Sequence, residues 1–454
     1  MKVVKFGGSS LANDKQIKKV KNIIASDKDR KIIIVSAPGK RFDGDIKVTD
    51  LLIELASQTL NGSVDTSQTY KEIVERYRDM AEALEIQEPV IDEIKKSLND
   101  ILNMDKSQPE YFIDALKASG EDNNAKLIAA YFRTCGLNAS YINPGEAGLI
   151  LSDEPGNAKV LAESYLNLAK LKERDEILVF PGFFGYTKEG KLVTFSRGGS
   201  DITGAIVANG VGASMYENFT DVDSIFVASP AHVHNPVGIS NLTYREMREL
   251  SYAGFTVVHD EALYPAFAEN IPVVVKNTNN PEAPGTMITE KKMTENKWPI
   301  AGIASHGGFA SVYITKYMMN REVGFMRRVL SVFEEYDCSV EHVVSGIDDI
   351  DVIFKEEQLS AKELDELLLA IQTRTAADKV EKRENLCLLM IVGESMQSSI
   401  GITARATKAL SQANINLEMI NQGSSENSVM FGIKENKEAE AVRAIYDEFF
   451  DAKD

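Results

Sequence analysis

Along the first two thirds of this chain, apolar positions gather in short, predominantly apolar runs separated by longer stretches of helical period. The runs are Val3–Phe6, Ile32–Ser36, Ala139–Ile142, Ile177–Pro181, Met215–Thr220 and Pro272–Lys276. Between them the 3.6-residue period predicts helices over Asn13–Ala25, Val48–Leu60, Gln68–Leu84, Pro89–Met104, Ala125–Cys135 and Asn157–Leu171. Strands that are apolar throughout, alternating with helices, imply a mostly parallel sheet covered by helices on both faces. In such sheets ligands gather beyond the carboxyl ends of the strands.

The pattern changes after a polar, proline-containing stretch, Lys276–Pro284, and by Lys291–Trp298 the segments are shorter. The order becomes strand, helix, strand, strand, helix, strand over Ser311–Lys316, Glu322–Tyr336, Ser339–Ser345, Ile350–Phe354, Ala361–Gln372 and Thr375–Glu381. A second copy runs Leu386–Val392, Ser399–Ala413, Ile415–Asn421, Ser428–Ile433 and Glu438–Phe449, and lacks a sixth element. This is a tandem split βαβ unit, a ferredoxin-like arrangement. One strand before the first copy, Ile300–Ser305, has no partner within it, so it is expected to complete the second copy, with the first inserted into it. The expected domains are residues 1–292, 310–384, and 299–306 together with 386–454.

A chain of 454 residues exceeds one ordinary core, which agrees with that division. The formal net charge of −18 argues against nucleic acid as a partner and requires a local basic pocket for any anionic ligand. Cys135, Cys338 and Cys387 are too widely spaced for a disulfide framework or a metal site and read as buried thiols. His232 and His234 stand in no ligand pattern, so no protein-held metal is expected. The sequence opens directly on a predicted strand, so no signal peptide is expected, and no apolar run reaches the roughly 18 residues of a membrane span. A cytoplasmic protein without membrane contact is expected.

Two glycine turns carry the candidate chemistry. The first strand runs into Lys5-Phe-Gly7-Gly8, and a later turn reads Ser196-Arg-Gly-Gly-Ser-Asp-Ile-Thr-Gly204. Glycines let backbone N–H groups approach an anion, and a following helix adds its positive end. Lys5 can neutralise a phosphoryl group in transfer, although a strand-end lysine in solvent is the bland alternative. The spacing is not that of a Walker loop. Arg197 can present a fork to a carboxylate. Asp201 reads as a helix cap or as the group that orients Lys5, and Ser200 as a cap or a ligand. Glu121, after Ser119-Gly120, is expected at a helix start, where carboxylates are favoured in any case. Thr220-Asp221-Val-Asp223 ends a strand, a place suited to ribose or metal–phosphate contacts but common in ordinary turns. Together these point to phosphoryl transfer onto a small acidic molecule.

In combination these residues resemble the aspartokinases. The matching motifs are Lys5-Phe-Gly-Gly-Ser-Ser10, Val35-Ser36-Ala37, Val48-Thr49-Asp50-Leu51-Leu52, Ser119-Gly120-Glu121, Pro181-Gly-Phe183, Arg197-Gly-Gly-Ser-Asp201, Thr220-Asp-Val-Asp223 and Val275-Lys-Asn-Thr278 with Pro281-Glu-Ala-Pro-Gly-Thr286. They occur in family order over essentially the whole chain, and the tandem repeat is similar to that family's paired ACT domains. The resemblance implies an amino-acid-kinase fold. It also implies transfer of a phosphoryl group from ATP to the β-carboxylate of L-aspartate, the first step towards lysine, threonine and methionine. It makes Lys5 and Asp201 the catalytic pair. Ser36, Thr49, Glu121, Phe183 and Arg197 would hold aspartate, with Glu121 on its ammonium and Arg197 on its α-carboxylate. Gly7, Gly8, Gly199, Ser200, Thr220, Asp221 and Phe226 would serve ATP, whose phosphates would carry Mg²⁺.

Two departures concern the nucleotide. The family's contacting lysine is Thr256 here, and its arginine is Ala231, which leaves Lys40 or Arg41 as substitutes. A sister kinase acting on glutamate, acetylglutamate or carbamate, and a non-catalytic amino-acid sensor, are the competing readings. The repeats are expected to bind an effector amino acid, with lysine ahead of threonine or methionine, through a homodimer or dimer of dimers. The candidate residues are Met319, Gly324, Phe325 and Met326 around a helix start, then Ser339, Val340 and Glu341 after that helix. Lysine-binding relatives carry Thr-Ser-Glu where this chain has Ser345-Gly346-Ile347, so the effector site is better founded than its specificity for lysine.

Overall fold

The computed structural model describes residues 1–62, 65–196, 198–255, 257–258, 262–292, 297–423 and 425–450. They form two units, one drawn from residues 1–225, 238–248 and 256–294, the other from 226–237, 249–255 and 295–454.

The first unit is built on an eight-stranded sheet. In spatial order its strands are Ala139–Tyr141, Ile177–Pro181, Arg30–Val35, Lys2–Phe6, Met215–Thr220, Val273–Asn277, Thr286–Thr289 and Asn241–Thr243. Neighbours are parallel except Val273–Asn277 against Thr286–Thr289, which the polar stretch after Lys276 joins as an antiparallel pair. All six expected strands are present. Val3, Val4, Phe6 and Ile32 through Val35 are fully or almost fully buried, as the apolar runs require. The first strand of the chain lies at the centre of the sheet, between the next strand on one side and a much later one on the other. The connection from its carboxyl end leads to Arg30–Val35 on one side, that from the neighbouring Met215–Thr220 leads to Asn241–Thr243 on the other, and the divergence opens a crevice where Gly7 and Gly8 begin.

Two of the expected helices differ in the structure. Instead of Ala125–Cys135, a 26-residue helix spans Pro109–Thr134. Glu121 therefore lies in the middle of a helix, not at its start, and the carboxylate–dipole argument does not apply to it. Periodicity failed here because Asp114, Ser119, Glu121, Asn123 and Asn124 are all buried beside apolar residues. A helix covered on all sides has no polar face to read. The expected Asn157–Leu171 helix shortens to Glu163–Leu168 followed by a 3-10 turn over Ala169–Glu173. A hairpin, Phe184–Tyr186 with Leu192–Thr194, was not anticipated.

The second unit centres on a six-stranded antiparallel sheet ordered Val340–Ser345, Asp349–Lys355, Gly302–Thr315, Lys379–Val392, Ser428–Lys434, Met419–Gln422. Two pairs of expected strands are each fused. Ile300–Ser305 and Ser311–Lys316 belong to the single strand Gly302–Thr315, and Thr375–Glu381 and Leu386–Val392 to Lys379–Val392. The polar residues between each pair look like strand ends, but here they are bulges, with register shifts around His306–Phe309 and Ser311. Gly302 through Ser305 pair with Val392 through Leu389, the first strand of the second repeat. Phe309 through Thr315 pair with Asp349–Lys355 of the first repeat. Helices Phe325–Glu335, Ala361–Thr375, Ile402–Gln412 and Glu438–Phe449 complete the two copies. The first repeat's core gathers Val312, Phe325, Phe333, Phe354, Leu367 and Ile371.

Candidate active site

At the crevice, Lys5 turns its ammonium back over the first glycine turn. Its Nζ lies 2.7 Å from Asp201 Oδ1, and both side chains are mostly buried. A Cβ placed on Gly7 would lie 3.5 Å from that Nζ, so the lysine rests directly above the turn. Gly8 touches the backbone of Gly39, whose N–H donates to Gly8 O at 2.9 Å. A Cβ on Gly39 would sit 2.6 Å from the Gly8 carbonyl carbon, so this approach of two chains demands glycine.

Asp201 lies in the first turn of the helix Gly199–Val211, whose N-cap is Gly198 at φ 76°. Asp201 is thus not the cap, and its carboxylate is free to face Lys5. That turn is fixed from the side by Phe183, itself at φ 78°. Phe183 N–H donates to Thr203 Oγ1 at 3.0 Å, and Thr203 donates on to Gly199 O at 2.8 Å. A Cβ on Gly199 would meet the Phe183 ring at 2.5 Å. The Pro181-Gly-Phe turn and the second glycine turn therefore form one packed unit, with Ser200 buried beneath Gly182.

The long helix supplies the third wall. Gly120 lets it press against the loop after Arg30–Val35, since a Cβ there would lie 2.9 Å from Ala37 Cβ and 3.1 Å from Leu52 Cδ1. Glu121 follows, buried, with Oε2 lacking any partner among the described residues. Burial pushes its carboxyl up to about 8, partly opposed by the Ala37 N–H. One turn on, Asn124 Nδ2 donates to Ser36 O at 2.6 Å, while its Oδ1 also lacks a partner among those residues. Thr49 is half-buried in the first turn of Val48–Asn61. A buried carboxyl with one oxygen unbonded is suited to receive a cation, whose arrival favours the ionised form.

Of the remaining expectations, Arg197 and Thr256 lie outside the described residues. Thr220 and Asp221 lie at the carboxyl end of Met215–Thr220, joined by a 3.2 Å hydrogen bond. Phe226 belongs to the second unit. Lys40 is exposed, whereas Arg41 is held by Asp45 through its N–H, Nε and Nη2 at 2.8, 3.0 and 3.0 Å. Asp45 also pairs with buried Arg76 at 2.9 Å, and these cations hold its carboxyl far below the usual range. In the second unit, Met319 and Phe325 are buried in the first-repeat core, Gly324 caps the helix at φ 78°, and Met326 is exposed. Ser339 is bonded on both backbone groups by Gln358, Val340 is half-buried, and Glu341 accepts from the Tyr252 hydroxyl.

The sequence reading missed Asn124, Thr203 and Asn218. The last donates from Nδ2 to Asp201 Oδ1 at 2.8 Å. Their signal was polarity out of place: paired asparagines within a buried helix, and an amide inside a strand of a parallel sheet.

Residues 1–277 match the model of the amino acid kinase family, and residues 389–449 match an ACT domain. The chain is 55% identical to aspartokinase 3 of Bacillus subtilis over 450 residues, covering 99% of each. It is 29% identical to the chloroplastic aspartokinase 1 of Arabidopsis thaliana, covering 100% of this chain and 80% of that one. The crystal structure of Clostridium acetobutylicum aspartate kinase superposes with a TM-score of 0.86 at 38% identity, over 99% of this chain and 100% of that one. Escherichia coli aspartokinase III, solved with aspartate and ADP, shares the fold at a TM-score of 0.79 and 23% identity, over 99% of each chain. A central sheet with two glycine turns at its crevice, followed by a tandem βαββαβ sheet, thus finds its counterpart among known proteins: the chain belongs to the amino acid kinase family, and within it to the aspartokinases with ACT domains.

Proposed function

We propose that this protein transfers the γ-phosphoryl group of ATP to the β-carboxylate of L-aspartate, giving 4-phospho-L-aspartate. The observation that carries this reading is the Lys5–Asp201 pair at 2.7 Å over a glycine cradle, with the buried Glu121 carboxyl in the adjoining wall, its Oε2 unbonded among the described residues. The likeness to aspartokinase 3 over the full length supports the choice of acceptor.

The acceptor carboxylate, with a pKa of about 3.9, is ionised at neutral pH and needs no general base. The obstacle is bringing one anion onto another. Lys5 supplies positive charge where the transferring phosphoryl passes, and Asp201 holds that ammonium in place. Gly7, beside the Lys5 ammonium, bares its backbone to a phosphate oxygen, while the close Gly8–Gly39 contact fixes the turn, which fits a nucleoside triphosphate. Mg²⁺ carried on the phosphates would add screening of the same repulsion, with Asp221 the exposed oxygen donor nearest in sequence to the strand end. Glu121 receives the substrate ammonium and, by our proposal, Arg197 its α-carboxylate. Held at that end, aspartate presents its β-carboxylate to the phosphoryl group.

We assign catalysis to residues 1–292 and regulation to the repeats at 310–384 and at 299–306 with 386–454, where an end-product amino acid would act. Lysine is the first candidate, and a dimer through the repeats the assembly we favour. Among the described residues no helix is long and apolar enough to cross a membrane. An ADP-release assay with aspartate, glutamate and N-acetylglutamate tests the whole reading. Turnover is expected with aspartate alone and is expected to fall when millimolar lysine, threonine or methionine is added. Turnover with another acceptor, or none, would overturn the substrate assignment; indifference to all three amino acids would reduce the repeats to structural modules.

A further inference from the structure

The strand Met215–Thr220 lies inside a parallel sheet, where both faces are covered and apolar side chains are the norm. Asn218 breaks that rule while only 2% exposed. Burying an amide is unfavourable unless its groups are bonded, and here only one of them is. Nδ2 donates to Asp201 Oδ1 at 2.8 Å, while the amide oxygen has no partner among the described residues. A leucine would fill the same space without that cost, so the amide is retained for the carboxylate it touches.

The register explains how it reaches. Lys5 and Asn218 are directly paired residues on neighbouring parallel strands, so their side chains leave the same face of the sheet side by side. Both converge on one oxygen of Asp201, at 2.7 Å and 2.8 Å. An ion pair with a single contact can swivel about it. A second donor, neutral and mounted on the adjacent strand, fixes the rotation of the carboxylate and thereby the place of the ammonium. Tyr216, two residues back, donates its hydroxyl to Asp201 O at 3.2 Å and anchors the backbone of the same residue. One strand thus holds Asp201 at both its main chain and its side chain.

We propose that Asn218 is a positioning residue for phosphoryl transfer, acting through Asp201 to hold the Lys5 ammonium where charge develops. It touches neither substrate nor nucleotide in this account, and the inference rests on the kinase reading above. A hydrogen bond to a charged group of this kind corresponds to a loss of about tenfold to a hundredfold in rate when it is removed.

The test starts by establishing ADP release with aspartate in the full-length wild-type protein; failure there refutes the kinase reading and not this one. Asn218→Leu, close in volume, is then expected to lower kcat about tenfold or more while the KM for aspartate and for ATP moves much less. Asn218→Asp keeps the shape but replaces the donor with a second carboxylate, and should lose at least as much; it also serves if the leucine variant does not fold. The deciding measurement is the double-mutant cycle with Asp201→Asn. If Asn218 works through Asp201, its replacement costs little more once Asp201 is altered. Unchanged kcat in both single variants, or a loss that persists undiminished in the Asp201→Asn background, would overturn the proposal.

Discussion

At the scale of single residues, Glu121 joins stability to function. Burial disfavours the charged form and pushes its carboxyl up to about 8. In the unfolded chain it titrates in the ordinary carboxylate range, so the folded state binds its proton more tightly. Stability from this group is therefore complete at acid pH and is lost as pH rises through that range to about 8. Glu121→Gln removes the titration, and the variant should melt higher than wild type at pH 8.5, with the difference narrowing towards pH 5. The same substitution removes the partner of the substrate ammonium, so the KM for aspartate should rise by about tenfold or more while the KM for ATP holds. In the wild-type protein the KM for aspartate should fall between pH 7 and pH 8.5 as the group ionises. A KM flat over that interval would show that Glu121 is already charged or does not meet the ammonium. The identity of this residue was legible in the sequence because it stands in a recognisable motif. Its burial was not, since a carboxylate in a helix reads by default as solvated.

At the scale of elements, the predominantly apolar strands were legible almost to the residue, whereas the long helix Pro109–Thr134 was not. The difference is physical. A buried strand announces itself by composition, but a helix announces itself by one polar face, and this one turns polar groups into a wall of the site. Gly120 shows the consequence. Replacing a glycine inside a helix by alanine ordinarily stabilises by about 1 kcal/mol. Here the new Cβ would lie 2.9 Å from Ala37 Cβ, so helix or loop must shift. Overpacking of that kind costs about 1–3 kcal/mol and outweighs the helix preference. Gly120→Ala is thus expected to lower the melting temperature and raise the KM for aspartate, because Ala37 and Glu121 move apart. A melting temperature equal to or above wild type would mean that the loop after Arg30–Val35 yields freely.

At the scale of the whole molecule, element counting anticipated the partner of the unpaired strand but not the fusion of strands across the two repeats. Nothing in a polar link such as His306-Gly-Gly distinguishes a bulge from a turn; only the presence of an equally long partner decides it. Two 14-residue strands, Gly302–Thr315 and Lys379–Val392, run side by side through both repeats. The repeats should accordingly unfold as one cooperative block. Phe333→Ala, a truncation in the first-repeat core, should raise amide hydrogen exchange at Leu386–Val392 as well as within its own repeat. Faster exchange confined to the first repeat would show two separable modules. The same strands also set an order of assembly during synthesis. Every strand of the kinase sheet is encoded before residue 290, so that sheet can close while the rest of the chain is still being made. Gly302–Ser305 must instead wait, its hydrogen-bonding edge unpaired, until Leu389–Val392 has emerged from the ribosome. For that interval it is an open template for any passing strand. A stalled or truncated nascent chain would thus leave a finished kinase sheet joined to an aggregation-prone tail, and the burden on chaperones would fall on the repeats.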